Sequence, residues 1–172
     1  MKNVRVKKCI VVYTFVGNLT GSNIFNTGGS NTFVGQGSGF SNTTGSESIF
    51  AGASSGYYNT TGGGNSFFGV LAGRDNTVGN GNVFVGSGAG LFNATGGNNT
   101  YIGGGAGSPF LTTNLNNASA FGSNAIVTSD NQMILGNNAV NVGIGLSDIT
   151  PGPQNKLEIN AIDLGGPGNI DD

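Results

Sequence analysis

The stretch that decides the fold is "NTFVGQGSGFSNTTGS" at residues 31–46. A related phrase returns as "SIFAGASSGYYNTTGG" at residues 48–63 and as "NSFFGVLAGRDNTVGN" at residues 65–80, so successive copies begin at a constant interval. A fixed period of this kind is typical of repeat architectures, in which each copy is one structural unit. The sequence therefore predicts a repeat protein with a 17-residue unit.

Five positions of the unit keep their residue type from copy to copy. The aromatic row is Phe33, Phe50, Phe67, Phe84 and Tyr101, and the glycine row two residues later is Gly35, Gly52, Gly69, Gly86 and Gly103. The asparagine row is Asn42, Asn59, Asn76 and Asn93. Two further glycine rows are Gly39, Gly56, Gly73, Gly90 and Gly107, and Gly45, Gly62, Gly79 and Gly96. Five rows in register exclude a low-complexity, glycine-rich segment without a structural repeat.

The unit is too short and too rich in glycine for helices. Helix-pair repeats need more than about 30 residues, and each glycine inside a helix costs about 1 kcal/mol. Each copy instead offers a short β-prone segment, such as residues 31–34, followed by Asn-Thr-Thr-Gly turn chemistry. The pattern predicts an all-β fold, a parallel β-solenoid or β-roll, in which corner glycines adopt positive φ and corner asparagines bond the nearby backbone.

The strand segments carry two adjacent apolar residues, such as Phe33-Val34 and Phe67-Phe68. Successive side chains of a strand point to opposite faces, so both faces of the predicted sheet are apolar. No helix is available to cover the outer face, and we therefore expect copies of the same chain to pack side by side on it. The alternative is a wide coil that encloses both side chains.

Changes in the repeat period and in the composition divide the chain into four parts. Residues 1–13 are predicted as a basic leader or first strand, and residues 14–117 as the 17-residue solenoid. Residues 118–145 are predicted as shorter terminal coils, because the glycines at 122, 136 and 143 are spaced by 14 and then by 7. Residues 146–172, rich in proline, glycine and acidic side chains, are predicted as a neck or linker.

The composition excludes several classes of function. Charged residues make up 8% of the chain, and between Cys9 and Ser129 the only ones are Glu47, Arg74 and Asp75. A surface this neutral lacks the basic patch with which proteins attract nucleic acid. No apolar run reaches the roughly 18 residues of a membrane-spanning helix, so we expect no membrane insertion by this segment. Cys9 is the only cysteine, which leaves no partner for a disulfide within the chain.

Reactive side chains are too sparse to favour an enzyme. The chain has no histidine, the usual base for a serine or cysteine nucleophile. The stretches "GSGAG" at 86–90 and "GGGAG" at 103–107 lack the lysine that ends a phosphate-binding loop. Glu47 and Asp75 would need copies from several chains to act as paired carboxylates. Ligand count disfavours zinc, and asparagine in place of aspartate disfavours calcium, so we predict no enzyme, metal or cofactor.

Units such as residues 31–35 and Ala118-Ser119-Ala120-Phe121-Gly122 resemble the head repeats of trimeric autotransporter adhesins. The ending, residues 141–145 followed by Pro151 and residues 155–159, is similar to the junction in phage tail fibres and bacterial surface fibres that carry an endosialidase-type intramolecular chaperone. The resemblance implies a left-handed parallel β-roll in a side-by-side homotrimer, at a cell surface or on a virion. The period of 17 departs from the 14 of that family, and no heptad coiled coil or membrane anchor follows.

We therefore expect a structural segment of an extracellular fibre or adhesin, a rigid oligomeric rod that could serve host or surface attachment. The main alternative is the tip of a phage tail fibre that binds a surface glycan or a protein receptor through loops such as residues 108–117. Two weaker alternatives are a fibre-borne glycan hydrolase and an ice-binding protein. The last rests on threonine rows at 43, 60 and 77 and at 44, 61 and 95, which Val78 and Ala94 interrupt.

Overall fold

The computed structural model describes residues 13–23, 26–110 and 114–137. These residues form one eight-stranded sheet in which the strands follow chain order and each is parallel to its neighbours. The strands are β1 (Tyr13–Val16), β2 (Asn31–Val34), β3 (Ile49–Ala51), β4 (Ser66–Phe68), β5 (Val83–Val85), β6 (Thr100–Ile102), β7 (Ser119–Phe121) and β8 (Met133–Leu135). With one strand per coil and no helix among the described residues, the predicted all-β parallel solenoid is confirmed.

Partners in neighbouring strands lie one coil apart along the chain. From β2 to β6 each pair is separated by the predicted period of 17, as Phe33 is from Phe50. The separation is 18 from Phe15 to Phe33, 19 from Tyr101 to Ala120, and 14 from Ala120 to Ile134. The predicted shortening therefore falls between β7 and β8, after one coil that is two residues longer than the central ones.

The turns that complete each coil are also bonded to the next coil. The backbone N–H groups of Gly39, Gly56 and Gly73 donate to carbonyls of the following coil at 2.9–3.0 Å. Hydrogen bonds on the sheet and on the turns satisfy the polar backbone in the interior, which short strands alone would leave unpaired. With about 4.8 Å between neighbouring strands, the eight strands make a stack about 34 Å long.

The core of the long coils is aromatic, whereas the core of the last coil is aliphatic. Rings fill the interior from β2 to β6, and smaller side chains replace them at β7 and beyond, where Ala118, Ala120, Ala125 and Val127 are fully buried. Of the leader or first strand predicted at residues 1–13, only Tyr13 is described, as the first residue of β1. The coil step that ends at Gly143 and the neck from residue 146 lie outside the described residues.

Candidate functional site

The aromatic row lies inside the stack, on the inner face of the sheet. Its five members, Phe33, Phe50, Phe67, Phe84 and Tyr101, have no exposed surface. Each ring stacks on the next with centroids 4.7–4.9 Å apart and planes within 9° of parallel. This distance equals the spacing of neighbouring strands, so the rings form one continuous column.

The glycine row that follows the strands is required by the close approach of successive coils. In Gly35, Gly52, Gly69, Gly86 and Gly103, φ lies between +126° and +144°, a region that side chains rarely adopt. A Cβ atom on any of them would lie no more than 2.6 Å from the carbonyl oxygen of the equivalent glycine in the next coil. Any side chain here would push two coils apart.

The third glycine row departs from the expectation that corner glycines serve to adopt positive φ. Gly45, Gly62, Gly79 and Gly96 are not among the residues with positive φ. They are needed for lack of room, because a Cβ atom would overlap the carbonyl of the next coil and the side-chain oxygen of the asparagine three residues earlier.

The predicted asparagine row is a buried ladder of amide groups. Nδ2 of Asn59, Asn76 and Asn93 donates to Oδ1 of the asparagine one coil earlier at 2.8–3.0 Å. Each Nδ2 also donates to the glycine carbonyl three residues later, at 2.9–3.0 Å. The local bond to the turn was expected from the sequence; the bond between coils was not.

A second asparagine ladder was missed by sequence reasoning. Asn31, Asn65, Asn82 and Asn99 are buried two positions before the core ring of their coil. Their Nδ2 atoms donate to backbone carbonyls of the next coil at 2.6–2.8 Å, and their Oδ1 atoms accept the backbone N–H of the equivalent residue there at 2.9–3.0 Å. The signal was present in the sequence as Asn-x-aromatic, and Ser48 replaces asparagine in one coil.

The outer face of the sheet carries an exposed apolar row, with one side chain from each strand. We call it the outer row: Val16, Val34, Ala51, Phe68, Val85, Ile102, Phe121 and Leu135. Val34, Phe68 and Ile102 are 39%, 42% and 40% exposed in the single chain. The alternative of a wide coil that encloses both apolar positions is therefore wrong, because Phe33, Phe67 and Tyr101 are buried while the residue after each of them is exposed.

Of the charged side chains that the structure describes, Asp75 is bound to Arg74 and Glu47 lies elsewhere on the coil. Arg74 and Asp75 bind each other, with Nε donating to Oδ1 at 2.6 Å and Nη2 to Oδ2 at 2.9 Å. Glu47 lies at a different position around the coil, just before β3, with a left-handed φ of 58°. Among the described residues no three His, Cys, Asp or Glu side chains are grouped as metal ligands.

The threonine row next to the asparagine ladder is bonded within the stack. Oγ1 of Thr43, Thr60 and Thr77 donates to the equivalent backbone carbonyl of the next coil at 2.9–3.0 Å. Their hydroxyl protons are therefore used between coils, while Thr44 and Thr61 beside them are exposed.

The loop predicted to carry specificity, residues 108–117, is described except for residues 111–113. Within it Phe110 is 69% exposed and meets Phe92 edge to face at 5.4 Å. None of the described residues forms a helix able to span a membrane. No protein-family model matches the chain, and no curated protein is significantly similar to it.

Proposed function

We propose that the chain is a non-enzymatic structural segment of an extracellular fibre or adhesin, in which copies of the solenoid associate side by side. The outer row is the single observation that carries this proposal. It places an apolar side chain on the solvent face of every strand, along the full length of the described sheet. Soluble proteins seldom leave a continuous apolar surface uncovered, and a second copy offers a matching stripe of the same length.

The association that we propose is a left-handed β-roll trimer. Handedness and the number of chains come from the resemblance to trimeric adhesin heads. A parallel arrangement would bring equivalent outer-row residues together layer by layer, since every chain has the same register. Each added layer then buries more apolar surface at about 25 cal/mol per Å², which favours a permanent assembly over a transient one.

A mechanical role fits the way in which the interior is bonded. Ring stacking and amide ladders join each coil to the next, so bending the stack would strain many contacts at once. The ion pair of Arg74 and Asp75 leaves neither group unpaired for acid–base chemistry. We infer that the segment transmits force and presents surfaces, and that its place is outside the cell or on a virion.

The oligomeric state tests this proposal. Light scattering coupled to size-exclusion chromatography should give three times the mass of the chain for the wild type. Val34→Asp and Phe68→Asp should each reduce that mass towards one chain, because a carboxylate in the outer row would lose its water on association. Val78→Asp is the matched control, since Val78 is 42% exposed at a corner away from the sheet.

A folded wild-type monomer would overturn the association, and so would an assembly that both outer-row variants leave intact. Circular dichroism on every sample distinguishes loss of association from loss of fold. An antibody raised against the described coils should label intact cells or virions that produce the protein, and labelling confined to the cytoplasm would contradict the extracellular role.

A receptor-binding tip is the second candidate, favoured by one observation. The coil between β6 and β7 contains two extra residues, and the exposed ring of Phe110 lies in that loop. A fibre-borne glycan hydrolase and an ice-binding surface are weaker candidates. Ice binding would depend on the exposed row at residues 44, 61 and 95, and a thermal-hysteresis assay tests it.

A further inference from the structure

A second wall of the stack, separate from the sheet, carries aromatic and charged side chains at the 17-residue spacing. We call it the aromatic wall: residues 40–41, 57–58, 74–75 and 91–92. Successive rows are joined by backbone bonds, from Ser41 N–H to the Tyr57 carbonyl at 3.0 Å and from Tyr58 N–H to the Arg74 carbonyl at 2.9 Å. These bonds hold the side chains of neighbouring coils in a fixed order.

The central part of the aromatic wall forms a cavity of about 300 Å³ that is open to solvent and lined by Ser54, Tyr57, Tyr58 and Arg74. The Tyr57 ring stacks on Phe40 at 4.8 Å with planes 9° apart. Tyr58 meets Tyr57 edge to face at 4.8 Å and 76°, and it is 49% exposed. The cavity therefore has a half-exposed ring that its neighbours hold in place.

The polar edge of the cavity is Arg74, whose guanidinium group is bound to the neighbouring Asp75. Their two hydrogen bonds use two of the five N–H donors of the guanidinium group, and the carboxylate oxygens keep further lone pairs. Donors and acceptors thus lie beside an aromatic ring, and the two opposite charges compensate each other. A ligand with many hydroxyl groups and no charge matches such an edge.

We propose that this cavity is a binding site for neutral glycans, in which a sugar ring packs on Tyr58 and its hydroxyls bond Arg74 and Asp75. An anionic ligand is disfavoured because Arg74, the only cation among the described residues, is already paired with a carboxylate. A purely apolar ligand would leave the ion pair desolvated without new partners, which costs free energy. The site goes beyond the structural role proposed above and does not depend on the number of chains.

Weak binding at this site would still give strong attachment. A rigid site loses little conformational freedom on binding, because backbone bonds and ring stacking already fix Tyr57 and Tyr58. If several chains associate, each assembly would carry several copies of the site, and avidity would multiply the affinity of each for a flexible polysaccharide long enough to reach two of them.

Binding of the intact chain to an array of immobilised glycans tests the site. The array contains linear glucans, galactose-terminated glycans, and sialylated and sulfated glycans. Retention by glucans alone would point to a polysaccharide coat, and retention by galactose-terminated glycans alone would point to a host glycan; either result supports the proposal. Binding only to the charged glycans, or to none, would overturn it.

Titration calorimetry with the best neutral oligosaccharide then tests the named residues. Tyr58→Ala removes the ring on which the sugar packs, and Arg74→Lys removes the two-point bond to Asp75. Each variant should weaken binding about tenfold, which is the equivalent of one lost hydrogen bond or ring contact. Tyr58→Phe keeps an aromatic ring at this position and should retain most of the affinity for the oligosaccharide. Ile126→Ala is the control, because it truncates a side chain that is 42% exposed between β7 and β8, outside the cavity.

Unchanged affinity in both Tyr58→Ala and Arg74→Lys would overturn the assignment. Tyr58→Phe and Arg74→Lys keep the test decisive if Tyr58→Ala fails to fold. Light scattering on the same samples separates the two proposals, since a monomer that binds the glycan would refute side-by-side association and leave the site standing.

Discussion

The long coils from β2 to β6 and the short coil from β7 to β8 share one sheet but differ in most of the side chains that they bury. Each long coil buries a ring and one or two amide groups, while the short coil buries Ala120 and Val127 with Ile134 packed against them. Both kinds of coil bury one alanine in the turn after the strand, such as Ala72 and Ala125. The change occurs within one step, where Tyr101 pairs with Ala120. Both asparagine ladders end at the same step, with Asn99 accepting the backbone N–H of Ala118 as its last rung.

This difference shows that coil length and interior content are coupled. The shorter coil encloses a smaller cross-section than the longer ones, and close packing then requires smaller side chains. The longer coils therefore need their additional residues in order to enclose the ring and the amide groups. Coils of both kinds keep the parallel ladder of the sheet, so the ladder does not depend on what fills the interior.

The largest effect is expected from breaking an amide ladder of the long coils. Asn76→Leu keeps the approximate volume but leaves Asn59 Oδ1 and one N–H of the Asn93 amide without a partner, and it removes one of the two bonds to the Gly79 carbonyl. Each buried group left without a partner costs about 1–3 kcal/mol, so we expect a loss of about 5 kcal/mol in the free energy of unfolding. Denaturant titration followed by circular dichroism measures the loss.

The matched control for the ladder is Asn80→Leu. Asn80 is exposed, and its amide bonds the backbone of Gly63 and Val78 from the outside of the stack. Its replacement should cost less than about 1 kcal/mol, because water takes over the lost bonds. Equal losses of stability in the two variants would show that the contribution of the ladder to the free energy of unfolding does not depend on its burial.

A smaller effect is expected from a gap in the aromatic column. Phe67→Ala removes a ring that stacks on both neighbours and is fully buried, and buried Phe→Ala changes cost about 3–5 kcal/mol. The exposed ring of Phe110 is the control, and its replacement by alanine should cost less than about 1 kcal/mol. A loss below that level at Phe67 would contradict a close-packed column.

The sequence was sufficient to predict the coil and its length, but not which face of the sheet the rings occupy. A period of 17 with an aromatic residue two positions before a glycine allows few other folds, and Phe67 and Gly69 lie where the pattern placed them. The two extra residues between β6 and β7 were not predicted, because residues 109–116 break the repeat and no row marks the offset.

The amide network and the cavity at Tyr58 were beyond sequence reasoning for a physical reason. Asparagine is usually a turn residue at the surface, and only the stacking of coils turns Asn31 and Asn65 into buried partners. Tyr57, Tyr58 and Arg74 come from two neighbouring repeats. Their meeting at one cavity depends on how the side chains of adjacent coils turn, which the repeat pattern does not specify.

The smallest effect at neutral pH is expected at Tyr101, where the long coils end. Among the described residues neither its hydroxyl nor that of Ser108 has a hydrogen-bond partner. Removing an unpartnered hydroxyl loses no bond, so Tyr101→Phe should change the free energy of unfolding by less than about 1 kcal/mol at pH 8. A loss well above that value would show that the hydroxyl contributes a bond.

The free energies of unfolding of the wild type and of Tyr101→Phe should differ at high pH. Burial raises the pKa of Tyr101 to about 12. A pKa raised in the folded state means that the unfolded chain loses its proton first, so stability is complete below pH 10 and falls between pH 10 and 12. The fall is about 1.4 kcal/mol per pH unit in this window for the wild type, and Tyr101→Phe lacks it. The other ionisable groups are common to both proteins, so their contributions cancel in the difference between the two free energies of unfolding. Denaturant titrations should show this difference growing from pH 10 upward. Stability curves that stay parallel up to pH 11.5 would mean that water reaches this ring.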